Sequence, residues 1–339
     1  MPKLIKFHTR LITSDYHRYP PPPIPGKQWH VTFDELPEGF YPRGGEISVD
    51  SKGKSREYIG KEVIIHASSS LRAQRVANLI HSAILLLDGS GFMHGTEPRI
   101  FPVKRPQSKV EEEQFHDRLR KGLLQKPDIP LACIIAAKAS FRHQYAYALA
   151  KLKLSYELYS TLFVNLNPYY SPNMPKSPYP EDQVRFAYSI VLAYAVIEEI
   201  GLEIRASSKN PSTIKGQWNP VVKNELEKRL RQANVKLTEN FLWTVRGART
   251  SLEKARPPRK ASKPTWARQF VRDTYVEVVD AIAHVSWLRS KVAAHRMNEA
   301  FVKVLSPYDV ANAQFLARRL LLSKLGFWRY HERNSVTKD

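Results

Sequence analysis

The sequence predicts a mainly α-helical protein, an antiparallel helical bundle that carries a small irregular, β-containing region at its N-terminus. Two observations lead to this fold class. Apolar residues recur at helical spacing over most of the chain after residue 67, and turn-forming residues crowd the part before it. The 339 residues suffice for one large domain or two modest ones. We divide the chain into an N-terminal region, a helical connecting region and a helical bundle, at residues 1–67, 68–129 and 130–339.

The N-terminal region is marked by a run of four prolines at 20–23 and a pair of glycines at 44–45. Short β-prone runs at 29–33 and 62–65 predict strands within it. We interpret the proline run as a stiff connector, with a docking motif as the alternative.

Helical spacing, capping residues and breakers set the limits of the predicted helices. Ser70 is a candidate N-cap for the first helix. Ser306 is the candidate for the last helix, which has Pro307 at its first position, Asp309 in its first turn and an end near Gly326. The predicted helices span 71–88, 111–124, 130–162 with one break, 181–203, 221–232, a long segment that begins at 265, and 307–326.

The formal charge of the chain is +21, from 53 Lys and Arg against 32 Asp and Glu. A field of this sign attracts polyanions and speeds their arrival, so nucleic acid is the partner that the composition favours. An anionic membrane surface and a generally basic solvated surface are the alternatives.

A single cysteine, Cys133, excludes an intrachain disulfide and a Cys-rich zinc site. The basic N-terminus has no apolar run behind it, which argues against a secretory signal. No apolar stretch approaches the roughly 20 residues that cross a bilayer. We therefore expect a soluble, cytoplasmic protein with no membrane partner. Neither a Gly-rich phosphate loop nor a metal-ligand spacing is evident, so we expect no cofactor.

The helix predicted from residue 265 carries an apolar stripe that ends in a cation. The stripe is spaced in alternating steps of four and three residues: Val271, Tyr275, Val278, Ile282 and Val285. Arg289 is the next position, and His295 lies at the edge of the same face. Arginine is rarely buried without a partner. Arg289 is therefore expected to face an acidic side chain, another subunit or a ligand.

An arginine and a histidine at this spacing suit the cleavage of RNA by its own 2′-hydroxyl. Histidine, with an unperturbed pKa of about 6.5, exchanges protons near neutrality, and arginine offers a planar fork to phosphate oxygens. Six residues of helix rise about 9 Å, a gap that the long arginine side chain largely covers. One such motif supplies a single histidine, which favours a homodimer in which two Arg/His sets share a cleft.

Residues 288–296, Leu-Arg-Ser-Lys-Val-Ala-Ala-His-Arg, resemble the Arg-x4–6-His signature of HEPN domains. The family prefers asparagine or another polar residue after the arginine, and this chain has Ser290. The resemblance covers about residues 130–330. It implies a HEPN-like helical bundle, a homodimer and a metal-independent endoribonuclease of the kind found in toxin–antitoxin and anti-phage systems. It assigns catalysis to Arg289 and His295, and it implies that Glu198 or Glu199, on an earlier helix, orients the arginine.

Basic residues near this motif are candidates for binding the RNA backbone. Residues 246–331 hold 17 Lys and Arg against six Asp and Glu. Six of these basic residues are singled out as nucleic-acid-binding: Lys291 and Arg296 beside the motif, and Arg256, Arg259, Lys260 and Lys263 in the linker before it. A solvated loop without a ligand is the alternative for the linker.

A second hypothesis comes from another functional class. The chain would be a non-catalytic helical nucleic-acid-binding or assembly module, in which the Arg/His pair serves dimer contacts or has arisen by chance. The role of residues 1–130 stays open between sensing a signal, binding a neutralising partner and buttressing the bundle.

Overall fold

The computed structural model contains eight helices and twelve strands in the part of the chain that it describes. The mainly α-helical class predicted from the sequence is confirmed at this coarse level, together with a small N-terminal sheet. The residues described are 4–13, 22–35, 48–49, 55–56, 61–89, 100–102, 108–111, 114, 124–125, 128–159, 180–246, 251–255, 271–293 and 305–328.

Backbone contacts group the chain into two compact units. One comprises residues 1–87 and 93–146, and the other comprises residues 88–92 and 147–339. These limits do not coincide with the predicted ones at residues 67 and 129, and the three-part division stays a prediction. Each unit is described by itself below.

The first unit is built on a six-stranded sheet in which β2, β3, β6, β1 and β7 are neighbours in that order, with β8 pairing β1 in parallel. The two predicted β-prone runs are confirmed as the strands β3 and β6. The long first strand was missed by the sequence analysis. The strands are β1 (Ile5–Thr13), β2 (Ile24–Gly26), β3 (Trp29–Glu35), β6 (Lys61–Ala67), β7 (Phe101–Pro102) and β8 (Leu124–Gln125), and β4 (Ser48–Val49) pairs with β5 (Ser55–Arg56) apart from this sheet.

Strand β3 alternates between buried and half-buried residues, as the two-residue period of a strand predicts. Val31 on β3 and its neighbours Val63 and Ile65 on β6 have no exposed surface. On the opposite face, His30 and His66 stack with ring centroids 4.1 Å apart. Strand β6 is buried on both faces over most of its length, and Ile64 is 2% exposed.

Two helices of the first unit begin close to where the sequence predicts. Helix α1 (Ser70–Asp88) is preceded by Ser69, whose Oγ accepts a hydrogen bond from the backbone N–H of Arg72 at 3.3 Å. Ser69 therefore caps this helix, and the prediction of Ser70 as the cap was wrong by one residue. Helix α2 (Ile129–Ser140) lies on the sheet, where Ser140 Oγ accepts a hydrogen bond from the N–H of Lys27 at 2.9 Å.

The predicted helical stretch 130–162 is confirmed as two helices with one break, α2 and α3 (His143–Leu158). Helix α3 packs against α4 (Pro180–Glu199) through two serines. Ser155 Oγ donates to the carbonyl of Ser189 at 2.8 Å, and Ser189 Oγ donates to the carbonyl of Ser155 at 3.1 Å. Small side chains let the two backbones approach closely at this point.

The second unit also contains α5 (Pro220–Gln232), the short α6 (Ser251–Lys254), α7 (Val278–Ala293) and α8 (Pro307–Leu325). Helix α4 packs against both α7 and α8. The predicted start of α8 is confirmed: Ser306 and Asp309 form a reciprocal capping box, Pro307 is the first helical residue, and Gly326 ends the helix with φ 86°.

A two-stranded ribbon replaces the first part of the helix predicted from residue 265. Strand β12 (Val271–Glu277) pairs antiparallel with β11 (Asn240–Arg246) over the full length of both, and α7 begins only at Val278. The prediction of helix over 271–277 was wrong. Arg272, Asp273 and Thr274 are poor continuations of an apolar helix face, whereas the run Val-Arg-Asp-Thr-Tyr-Val-Glu suits a strand once a partner strand supplies its hydrogen bonds.

A tight hairpin precedes α5. Strands β9 (Thr213–Ile214) and β10 (Gln217–Trp218) are joined by Lys215 and Gly216, whose φ values of 52° and 77° are those that a two-residue hairpin turn requires. Asn219 then caps α5 by accepting a hydrogen bond from the N–H of Val221 at 3.0 Å. The turn and the cap together fix the position of Trp218.

The helix predicted at 111–124 falls mostly outside the described residues. The described part of the chain contains no helix long and apolar enough to cross a membrane.

Candidate functional site

Arg289 lies near the end of α7, at the edge of its buried face. Val285 and Leu288 have no exposed surface, whereas the side chain of Arg289 is 45% exposed. The core face of α7 is formed by Val278, Ile282, Val285 and Leu288, and Arg289 flanks that face.

Two residues of α4 contact the Arg289 guanidinium. Glu198 Oε1 lies 3.5 Å from Arg289 Nη2, and the ring centroid of Tyr194 lies 5.9 Å from Arg289 Cζ. The hydroxyls of Tyr194 and Ser286 are hydrogen bonded, and burial raises the pKa of Tyr194 above its ordinary value. Tyr194 is therefore a neutral phenol, whose ring face attracts the cation beside it. Together these contacts hold the arginine near the surface.

Glu198 and Glu199 differ in where they lie. Glu198 is the residue beside Arg289, whereas Glu199 Oε2 accepts a hydrogen bond from Lys151 Nζ at 2.5 Å, on the side of α4 that faces α3. Successive helical residues point about 100° apart, so the two glutamates cannot serve one partner. The structure brings together Arg289 and Glu198 and places Glu199 elsewhere.

Of the other predicted site residues, only Lys291 falls within the described part of the chain. It is exposed, and its Nζ lies 6.0 Å from the ring centroid of Trp287. His295, Arg296, Arg256, Arg259, Lys260 and Lys263 lie outside the described residues.

A cavity of about 330 Å³ opens beside the same end of α7. Trp287, Ser286 and Ser290 line it from α7, and Trp218 and Thr213 line it from the β9–β10 hairpin. The sequence analysis favoured core or interface packing for Trp287 and did not find this cavity. One signal was present in the sequence, because Trp287 lies two residues from Arg289 and four residues from Lys291.

A buried chain of hydrogen bonds runs behind the cavity. Trp243 Nε1 donates to His284 Nδ1 at 3.0 Å, and His284 Nε2 lies 3.0 Å from Ser251 Oγ. Ser251 Oγ in turn donates to Asp309 Oδ1. Because the hydroxyl proton of Ser251 goes to Asp309, His284 Nε2 carries the ring proton and donates to Ser251. This path joins β11, α7, α6 and α8.

Ser, His and Asp side chains occur together here, but the direction of their hydrogen bonds excludes a nucleophilic serine with histidine as its base. A general base accepts the proton of the serine, whereas His284 donates to it. Burial lowers the pKa of His284 to about 3, so the ring is neutral at physiological pH. Burial raises the pKa of Asp309 to about 6. We assign this path to the structure of the core.

Within the described residues, no group of three or more His, Cys, Asp or Glu side chains is placed to hold a metal ion. Comparisons of the chain with protein-family models, with curated proteins and with solved structures each found no match. The resemblance to HEPN domains therefore rests on the residues of the motif and on their surroundings.

Proposed function

We propose that this protein is a metal-independent endoribonuclease, similar to HEPN domains, in which Arg289 stabilises the scissile phosphate and His295 transfers a proton. The observation that carries this proposal is the contact between Arg289 and Glu198. The resemblance implies an acidic residue on an earlier helix beside the arginine, as in many family members, and Glu198 Oε1 lies 3.5 Å from Arg289 Nη2. Sequence spacing alone does not bring these two residues together.

The reaction that suits these groups is transesterification at phosphorus. The 2′-oxygen of the substrate forms a bond to phosphorus as its proton passes to a base, and the bond to the 5′-oxygen breaks as that oxygen gains a proton. The products are a 2′,3′-cyclic phosphate and a free 5′-hydroxyl. Histidine suits either proton transfer near neutral pH, and arginine suits the charge that develops on the phosphate oxygens.

The exposure of Arg289 supports this role. Glu198 lies next to one terminal nitrogen, and the guanidinium has five N–H donors in a fixed plane. With 45% of the side chain exposed, donors remain accessible to a phosphate from solvent. Glu198 fixes the orientation of the fork, which lowers the entropy lost when a phosphate binds.

An apolar stripe on α4 supports the expected homodimer. Val184, Tyr188, Val191, Ala195 and Glu198 follow one another on one side of this helix, in steps of four and three residues. Val184 is 45% exposed and Tyr188 is 59% exposed. Because the stripe ends at Glu198, a second copy seated on it by a two-fold axis brings two Arg289 side chains towards one another. This arrangement supports a composite site in which each copy contributes one motif histidine.

The test is cleavage of single-stranded RNA by the purified full chain in the presence of a chelator. We expect products with 2′,3′-cyclic phosphate ends, and we expect the His295→Ala variant to lose cleavage with its fold and oligomeric state unchanged. His143→Ala, at an exposed position of α3, is the matched control and retains cleavage. If His295→Ala cuts RNA as fast as the parent, the assignment is wrong.

The second candidate function is nucleic-acid binding or assembly without cleavage. It is favoured by the net charge of +21 and by the exposure of both partners in the Arg289–Glu198 pair, which is also that of an ordinary surface ion pair. In the same assay this candidate gives an intact RNA band of reduced mobility and no cyclic phosphate. The toxin or anti-phage setting that the resemblance implies belongs to the first candidate alone.

A further inference from the structure

The cavity beside Arg289 has the size of a small-ligand site. Its volume of about 330 Å³ is at the lower end of the range for ligand pockets, which run from about 300 to 1,000 Å³. Such a volume suits one heterocyclic base with part of its sugar, and it is too small for a longer oligomer.

The described lining of the cavity carries no formal charge, although the chain is strongly basic. The walls include two indole rings, Trp218 and Trp287, and the imidazole of His284. Both nitrogens of His284 lie within hydrogen-bond distance of core partners, and the ring is neutral at physiological pH because burial lowers its pKa to about 3. The interior is therefore aromatic and uncharged, and it disfavours an anion.

Two of the aromatic walls are held in place. Trp218 Nε1 donates to Asp280 Oδ1 at 2.9 Å, which fixes the indole of the hairpin against α7. The rings of His284 and Trp287 are stacked, with centroids 6.4 Å apart and planes 21° apart. Fixed aromatic faces bind a planar ligand without the entropy cost of ordering them.

A cation lies next to this neutral cavity. Lys291 Nζ lies 6.0 Å from the centroid of Trp287, whose ring lines the cavity. The hydrogen bond between Tyr194 and Ser286 links the cavity wall to the residue whose ring contacts Arg289. A neutral aromatic interior beside positive charge matches the two parts of a nucleotide, a planar base and an anionic phosphate.

We propose that this cavity binds one unpaired nucleobase of the RNA, with the adjoining phosphate lying against Lys291. The inference rests on the proposed function, since it names the part of the RNA substrate that is held beside the cleavage site. Unpaired bases stack on aromatic side chains in sequence-tolerant RNA recognition. Ser290 Oγ donates to the carbonyl of Trp287 at 2.7 Å, so its oxygen accepts a hydrogen bond from a base N–H.

The test fills the cavity from exposed positions, so that the core is left intact. Ala206 and Ser290 both line the cavity and are exposed, and Ala206→Leu and Ser290→Leu each place a larger apolar side chain there. Ser208→Leu, at an exposed position that does not line the cavity, is the matched control. Circular dichroism establishes that the three variants are folded.

Binding is measured by fluorescence anisotropy with 2′-O-methyl oligonucleotides, which lack the attacking hydroxyl and stay intact. We expect both cavity variants to bind a labelled hexanucleotide about tenfold more weakly than the parent, the loss of one stacked base. We expect the same hexamer with abasic sugars throughout to bind the parent and the cavity variants equally. Ser208→Leu binds both probes as the parent does.

Three outcomes overturn the inference: equal binding of the hexamer by parent and cavity variants, equal binding of the intact and abasic hexamers by the parent, or loss of affinity in Ser208→Leu as well. Adenosine and cytidine monophosphates form a further arm. If the two nucleotides compete with one another for the cavity and the hexamer does not compete with them, the occupant is a free nucleotide and the assignment to RNA is wrong.

Cleavage is scored separately on 2′-hydroxyl RNA. If binding depends on the bases but no cleavage occurs, the cavity assignment stands and the nuclease proposal is refuted. If RNA is cleaved and the cavity variants bind it as the parent does, the nuclease proposal stands and the cavity assignment is refuted.

Discussion

Arg289 and Glu198 meet with Nη2 and Oε1 3.5 Å apart, although a hairpin, two helices and a β-ribbon separate them along the chain. One turn earlier, Ser286 and Tyr194 are hydrogen bonded across the same pair of helices. The second of these contacts lies earlier than the first in both α4 and α7, so the two helices run in the same general direction here. Helices α3 and α4 run antiparallel, as the sequence predicted for neighbouring helices. Their contacts are Ser155 with Ser189 and Lys151 with Glu199.

The pairing of Arg289 predicts that two adjacent glutamates have different effects on cleavage. We expect Glu198→Gln to lower kcat for RNA cleavage about tenfold, because the arginine loses the group that orients it. Glu199→Gln removes the same charge one residue away, where the partner is Lys151, and we expect cleavage within about twofold of the parent. Both pairs remain accessible to solvent and contribute little to stability, so the free energy of unfolding changes by less than about 1 kcal/mol in either variant. Equal loss of cleavage in the two variants contradicts this prediction.

The stripe on α4 predicts that a charge placed within it separates the two copies. Tyr188→Glu places a carboxylate on the apolar side of the helix, where Tyr188 is 59% exposed, and we expect monomers by light scattering after gel filtration. Tyr275→Glu is the matched control, since Tyr275 is 73% exposed on β12 and lies off the stripe. We expect cleavage to fall with the dimer in Tyr188→Glu alone. A parent chain that is already monomeric refutes the shared site.

The buried path through His284 predicts that stability falls in mild acid. The folded-state pKa of His284, about 3, lies below the value of about 6.5 for an unfolded histidine, so the native state binds fewer protons between these values. The stability from this residue is present above pH 6.5 and is lost as the pH falls towards 3. Between pH 7 and pH 5 the loss is about 2 kcal/mol.

Asp309 acts in the opposite direction over part of this range. Burial raises its pKa to about 6, so between about pH 6 and pH 4 the native state binds more protons than the unfolded chain. Asp309 therefore adds to the stability of the protein as the pH falls through this range.

The measurement that isolates His284 is urea unfolding of the parent and of His284→Gln at pH 7 and pH 5. Glutamine supplies one acceptor for Trp243 and one donor for Ser251 and does not titrate. We expect the difference in unfolding free energy between the two proteins to shrink by about 2 kcal/mol at pH 5; a difference that is independent of pH contradicts the assignment.

The sequence predicted elements whose signals are local and missed those whose partners are distant. Ser306, Pro307 and Asp309 mark the start of α8 within four residues, and they were sufficient. Residues 271–277 could not be assigned from their own pattern, because Val271 and Tyr275, four residues apart, fit both one face of a helix and one face of a strand. What decides is the partner strand Asn240–Arg246, which lies about 30 residues earlier in the chain.

The candidate site could likewise be predicted only where its signal is local in the sequence. The motif of Arg289 is a short string and is visible in the sequence, and two adjacent glutamates were the expected partners. The choice of Glu198 over Glu199 depends on the rotation of α4 about its axis, which is set by the packing of Ser189 on α3 and of Tyr194 on α7. The cavity depends on the hairpin turn at Lys215 and Gly216, which sets Trp218 against α7.

The basic linker predicts how RNA affinity depends on salt. Four of its residues, Arg256, Arg259, Lys260 and Lys263, follow Ala255, which lines the cavity. A cation that contacts a phosphate of single-stranded nucleic acid releases about 0.7 of a counterion, so replacing all four residues with serine is expected to reduce the slope of log affinity against log salt by up to about 2.8. The measurement is the affinity for 2′-O-methyl RNA between low and physiological salt. The four-fold serine variant of Lys223, Lys228, Arg231 and Lys236 on and after α5 is the matched control, and we expect its slope to equal that of the parent. If the two variants reduce the slope equally, the charge of the whole surface attracts the RNA and the linker has no special part in binding it.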